Sequence, residues 1–461
     1  MRSHNSSMKK FLPALLSLAM LAGGAALYAQ DAGAQAPASV AAPEAAAAPA
    51  PPKIDTGDTA WVLVSTALVL LMTAPGVALF YGGMTRSKNA LGTIMQSFII
   101  LCLISIQWVL WGYSLAFGPD IGGIIGNLDW FALEGVGGEP YPAYAATIPH
   151  HAFMLFQMMF AVITPALITG AFAERIKFSA FILFTLLWAT FIYDPLCHWV
   201  WGVGGWVRNL GALDFAGGTV VHISSGIAGL AAAMMLRKRL GHGKEPMHPH
   251  NLPMTLTGAA LLWFGWFGFN AGSALGAGAL AASTFLTTNT ATAASALTWM
   301  ILEWWYRGKP SALGAATGAV AGLVAITPAS GFVGPISAIW IGMGAGGFCY
   351  LAVMLKPLFG YDDALDAVGV HGVGGMWGAL ATGLFASKAI NSAGADGLFF
   401  GNPAQLGIQA MAVLVTIVFV FVGTLIILAV VGAITGLRVS EEDEQTGLDL
   451  SQHDEKAYSQ G

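Results

Sequence analysis

Beyond residue 58 the chain alternates between long apolar runs and short polar connections. Eleven runs reach the length of a bilayer-crossing helix, about 20 residues. They begin near Thr59, Gly92, His151, Phe178, Thr219, Pro253, Ala279, Ser311, Gly334, Val368 and Leu406. The pattern predicts an all-α polytopic membrane protein with eleven transmembrane helices over residues 58–437. A polar, acidic tail occupies 438–461. The first residues read differently. Met8-Lys9-Lys10 and the apolar stretch from Phe11 to Leu27 form the basic and hydrophobic parts of a signal peptide over residues 1–30. Small-residue cleavage sites lie between Ala29 and Ala36, and Met8 is an alternative start. Residues 31–57 are an Ala/Pro-rich linker with little to pack, expected outside the membrane.

Composition supports this class. Hydrophobic residues make up 56% of the 461 and charged residues 9%, against about 25% charged in soluble domains. The net charge of −5 comes mainly from the tail and says little about the core. Cys102, Cys197 and Cys349 are scattered through apolar segments with neither disulfide nor metal-ligand spacing. No nucleophile–base pair stands out, so an enzyme is not expected. Neither is a cofactor or a nucleic-acid partner.

Lysine and arginine placement sets the orientation. Arg86, Lys88, Arg175, Lys177, Arg237, Lys238, Arg239, Lys244, Arg307, Lys309 and Lys356 all fall in odd-to-even connections. Only Arg208 and Lys388 fall in the others. By the positive-inside rule the mature N-terminus is outside and the tail inside.

Two histidines break the apolar pattern: His222 in Thr219-Val-Val-His-Ile-Ser-Ser and His371 in Val368-Gly-Val-His-Gly-Val-Gly-Gly. Ionisable groups within a bilayer usually face a bundle interior and mark a substrate or proton path. The competing reading is an imidazole satisfied by a backbone carbonyl. The two lie five helices apart, and an odd offset inverts the second set. This predicts two inverted five-helix repeats plus a final helix, with a site between the repeats. Each histidine comes after an aspartate, Asp214 and Asp366 respectively. Asp194 and His198, close together on the fourth helix, read as one local polar cluster. Glu303 stands one turn before Arg307.

The most specific string is Trp263-Phe-Gly-Trp-Phe-Gly-Phe-Asn-Ala-Gly-Ser273. It is joined by Phe156-Gln-Met-Met-Phe160, Ala173-Glu-Arg-Ile-Lys-Phe-Ser179, Gly211 to His222, Asp366-Ala-Val-Gly-Val-His371-Gly and the tail from Gly436. Together these resemble the ammonium transporter family (Amt/Mep/Rh), in its bacterial branch, from Asp58 to Tyr458. The resemblance implies a homotrimer in the bacterial inner membrane, each subunit carrying its own pore for ammonium, ammonia and the analogue methylammonium. It places Trp201, Phe160 and Ser273 at an outer ammonium site, and Phe160 and Phe269 as the gate beneath. His222 and His371 become a twin-histidine pair in the pore, and Asp214 the aspartate near the outer site. The loop from Trp201 to Asp214 is one residue longer than the family pattern. The resemblance also implies a cytoplasmic PII signalling protein docking on the inner face, with the tail packed under the pore. A disordered, solubilising tail is the alternative.

Residue chemistry fits without the name. Ammonium can donate hydrogen bonds, and Ser273 can accept one. Trp201 or Phe160 adds cation–π attraction of about 0.5–2 kcal/mol. Taken singly, Trp201 also suits an interfacial belt, and Phe160 and Phe269 suit an ordinary aromatic core. Asp214, just before Gly217-Gly218, suits a helix cap with an electrostatic effect on the site as by-product. The runner-up function is an ammonium sensor on the same scaffold.

Overall fold

The computed structural model describes residues 53–458. The signal peptide and most of the linker lie outside them. Within them each apolar run becomes a helix, beginning within about five residues of its expected start. These are α1 (Thr56–Met84), α2 (Ser87–Phe117), α3 (His150–Phe172), α4 (Phe178–Asn209), α5 (Gly218–Leu236), α6 (Leu252–Ala271), α7 (Ala279–Arg307), α8 (Ala312–Ile326), α9 (Pro335–Phe359), α10 (residues 368–385) and α11 (Pro403–Thr435). Their starts carry ordinary signals. Asp55, Asn251 and Ser311 cap α1, α6 and α8 through their side chains, and proline occupies the first turn of α6, α9 and α11.

Eight helices among the described residues are long and apolar enough to cross a membrane. α7, α8 and α10 are not among them. α7 is long but rich in threonine and serine, and α8 has only 15 residues, about 22 Å of rise. α8 is almost wholly buried and continues into buried turns at 327–333. A helix enclosed by neighbours need not match the lipid in length or apolarity.

Two faces are distinguishable. On one lie residues 118–149, with a small β1–β2 hairpin (Asp120–Ile121 and Ile125–Gly126), and Ala143 and Tyr144 of this segment help to line a cavity. On the other, the connections after α1, α3 and α5 converge with the chain beyond α11. That segment is folded, as α12 (Glu441–Thr446) and α13 (Leu448–His453). Ser440 caps α12 in a reciprocal box with Asp443. Lys88 donates to the carbonyls of Glu444 and Gln445, and the Asp449 carboxylate accepts from the amides of Leu91 and Gly92. Tyr458 bonds His250. The packed alternative for the tail is therefore the one adopted.

α5 and α10 run in opposite senses between these faces. α5 starts beside the cavity and ends where Arg438 bonds the Leu236 carbonyl. α10 starts beside Asp362 and ends beside Phe332, a cavity-lining residue bonded by the Ser387 amide. The two cross backbone to backbone: a Cβ on Gly226 would collide with the main chain of Gly372.

Candidate functional site

Four side chains singled out in the sequence line one cavity of about 430 Å³ on the hairpin face: Phe160 from α3, Trp201 from α4, Asp214 from the loop before α5 and Ser273 after α6. The Phe160 ring lies 5.8 Å from that of Trp201, edge-on. Beneath it Phe269 stands at 4.3 Å, and the Ser273 hydroxyl donates to the Phe269 carbonyl at 2.8 Å, leaving its lone pairs to accept. The column of rings continues inward. Phe269 stacks on His222 at 5.9 Å and His222 on His371 at 5.4 Å.

Local structure aims these groups. His222, His371 and Phe269 all sit on wide π-helical turns, Gly218–Ile223, Val368–Val373 and Phe267–Ala271. Such turns insert an extra residue, rotate the rest of the helix about its axis, and recur at functional sites. The two imidazoles are buried, with Nδ1 atoms 3.4 Å apart. A hydrogen bond there requires one Nδ1 to carry the proton and the other to accept it. His222 Nε2 is buried with no protein partner, so backbone carbonyls do not satisfy this imidazole.

Asp214 anchors the rim. Its two oxygens accept from the amides of Gly217, Gly218, Thr219 and Val220 at 2.7–3.2 Å, satisfying the start of α5. Its carbonyl accepts from the Trp201 indole at 2.8 Å, which ties the tryptophan to the helix that carries His222.

Two pairings differ from expectation. Asp194 and His198 do not form one cluster: Asp194 accepts from Gln107 at 2.7 Å, while His198 bonds Asp120 at 2.8 Å and the Ala116 carbonyl. One helical turn separates them, but each points to a different neighbour. The partner of Asp214 in the second half is Asp363 rather than Asp366. Asp363 stands eight residues before His371, as Asp214 does before His222, and its carboxylate accepts from the amides of Ala367 and Val368. Glu303 does pair with Arg307, at 3.1 Å, and also accepts from Ser311 at the start of α8.

Sequence reasoning passed over Trp266, which stacks on His222 at 5.3 Å, although it lies within the aromatic string Trp263 to Ser273. It also passed over Gln157, a cavity-lining residue whose carbonyl oxygen is buried without a partner, and Arg208, which lines the cavity and donates to the Trp201 carbonyl at 2.6 Å.

The sequence profile described as the Ammonium Transporter Family matches residues 60–458. The chain belongs to the ammonium transporter family. A Bacillus subtilis (strain 168) ammonium transporter is 56% identical over 403 residues, spanning 87% of this chain and 98% of the relative. Among solved structures, Candida albicans Mep2 superposes with a TM-score of 0.80 at 38% identity, covering 85% of this chain and 88% of that one. A sensor Amt protein superposes with a TM-score of 0.79 at 32% identity, covering 86% and 98%. As a member of a transporter family with many apolar helices, this chain is a multi-pass membrane protein and not an enzyme.

Proposed function

We propose that this protein recruits ammonium at Trp201, Phe160 and Ser273, where the ion gives up its proton to water in the open cavity, and passes the resulting ammonia between Phe160 and Phe269 to the His222–His371 pair. The observation that carries the reading is the continuous column of rings from the cavity to the two imidazoles. A bare cation entering so apolar a column loses several kcal/mol of hydration that one hydroxyl and two ring faces do not restore. Neutral ammonia avoids that cost. The imidazoles offer it both a donor and an acceptor, and the unpartnered Nε2 of His222 is a free position for it.

In this reading α1 to α11 all cross the inner membrane, as two inverted five-helix repeats plus α11. The cavity faces outward and the tail faces the cytoplasm. The gathering of Arg86, Arg175, Arg239 and Arg438 beside the folded tail supports that sense under the positive-inside rule. A homotrimer would present three copies of this inner face, which suits docking of a trimeric PII protein through multivalent contact. Sensing is the second reading, favoured by the likeness to a sensor Amt protein.

The decisive experiment is uptake of radiolabelled methylammonium, with ammonium as competitor, in a host without its own ammonium transporters. Wild-type protein is expected to restore uptake, and His222→Ala with His371→Ala to abolish it while leaving the protein folded and assembled. Unchanged selective uptake in the double variant would remove the histidines from the conducting path. No uptake by the wild type would favour the sensor.

A further inference from the structure

The segments leading into α5 and α10 share one template. Asp214 and Asp363 each cap the helix that carries a histidine, eight residues before it. Five residues before each histidine the backbone enters the left-handed region, at Gly217 (φ 112°) and Asp366 (φ 61°). At the outer end this position has no side chain. A Cβ built on Gly217 would meet the Val221 side chain at 2.7 Å and then the ring of Trp201 at 3.3 Å, so this position borders the aromatic wall assigned above to ammonium and leaves no room there for a side chain.

At the opposite end a side chain is present. Asp366 holds a conformation that few residues other than glycine adopt, Asp being among the better tolerated. Its Oδ1 accepts from Lys356 Nζ at 2.6 Å. The same Nζ donates to the Asp363 carbonyl at 2.8 Å. Lys356 reaches there from the last turn of α9. An ammonium group thus stands against the residue whose template counterpart, Gly217, borders Trp201 at the outer mouth.

We propose that the Lys356 ammonium is a resident, tethered occupant of an inner counterpart to the outer ammonium site. Lysine Nζ and free ammonium share the positive charge and the N–H donors. Left unpaired, Asp366 and the Asp363 carbonyl would hold ammonium reforming on the inner side and slow its release. With Lys356 in place this acceptor pair is filled, so the pore binds at one end and releases at the other. This rests on the transport reading above. A purely structural role, stapling the α9–α10 loop, predicts different behaviour.

The test uses the full chain in proteoliposomes, with initial rates of labelled methylammonium entry measured against ammonium preloaded inside at fixed pH. Lys356→Met, and Lys356→Gln should the first variant not fold, are expected to become inhibited by internal ammonium at concentrations at least tenfold lower than wild type. Adding Asp366→Asn should return the response to wild type, because the vacated carboxylate is then gone. Lys356 variants that lose rate without new internal inhibition would overturn the proposal. So would a double variant that stays inhibited, or loss of folding in both single variants, which would mark Lys356 as a staple. Absence of entry through wild-type protein would instead overturn the transport reading itself.

Discussion

Asp214 has no capacity left over: two oxygens serve four amides and the carbonyl holds Trp201. Replacing it with alanine leaves buried amides unpaired and should destabilise the protein by about 2–3 kcal/mol. A thermal melt in detergent would show this, and Asp214→Asn, with one acceptor oxygen kept, should lose less. Arg208 poses the opposite case, a cation lining a cavity assigned to recruit cations. No ion pair is recorded for it among the described residues, and its bond is to a carbonyl. Arg208→Gln should therefore lower the half-saturating methylammonium concentration, most clearly at low ionic strength, where screening is weakest. An unchanged value at low salt would show that the guanidinium does not influence the site. His222 and His371 could be read in the sequence because an ionisable group in an apolar run is conspicuous. Asp363 could have been told from Asp366 by spacing, since it precedes His371 by the eight residues that separate Asp214 from His222; nearness in the chain favoured Asp366, and the caps show why the spacing was the better guide.

At the scale of elements, helix starts were legible because apolar runs, caps and prolines mark them. The wide turns were not, since an extra residue in a helix leaves no compositional trace. Those turns aim the histidines and Phe269, so the site's residues could be named from sequence while their contacts could not. The crossing of α5 and α10 depends on absent side chains. Gly226→Val forces a branched side chain into the backbone of Gly372 and should abolish folded protein on size-exclusion chromatography. Survival of a monodisperse, active variant would mean the helices can separate at little cost. Removing residues 441–458 leaves Lys88 and the Leu91 and Gly92 amides without their partners. The start of α2 should then exchange hydrogen faster in a deuterium-exchange experiment, whether or not uptake changes.

Across the whole molecule, the tail face is held by a buried network that no single segment of sequence announces. Glu174, itself left-handed at φ 72°, accepts from Arg86 and Arg239, and Asp362 from Arg239 and His242. Burial pushes the Glu174 carboxyl up, but Arg239 and Arg86 outweigh it and hold it below its usual range. Burial acts on Asp362 likewise and Arg239 reverses it. Burial holds His242 below its ordinary value, with Asp362 pulling it up and Arg239 pushing it down. Both carboxylates have depressed folded values, so their contribution is complete above the unfolded values, about 4, and is lost as pH falls through the folded ones. His242, also depressed, gives up a smaller share earlier, as pH drops below about 6.5. The network's share of the melting temperature should thus be flat above about pH 7, sag slightly near pH 6 and fall steeply below about pH 4. Arg239→Gln should lower the melting temperature at neutral pH and make the acid fall shallower, because both carboxylates then titrate nearer their unfolded values.

The caps that Asp449 provides have a consequence for synthesis. Gly92 waits for a carboxylate that leaves the ribosome 357 residues later. Through almost the whole of translation the start of α2 is therefore open, whatever the state of the helices already inserted. A chain cut short by a premature stop anywhere before Asp449 carries the same exposed amides as a nascent one. The molecule thus bears its own mark of completeness on the tail face.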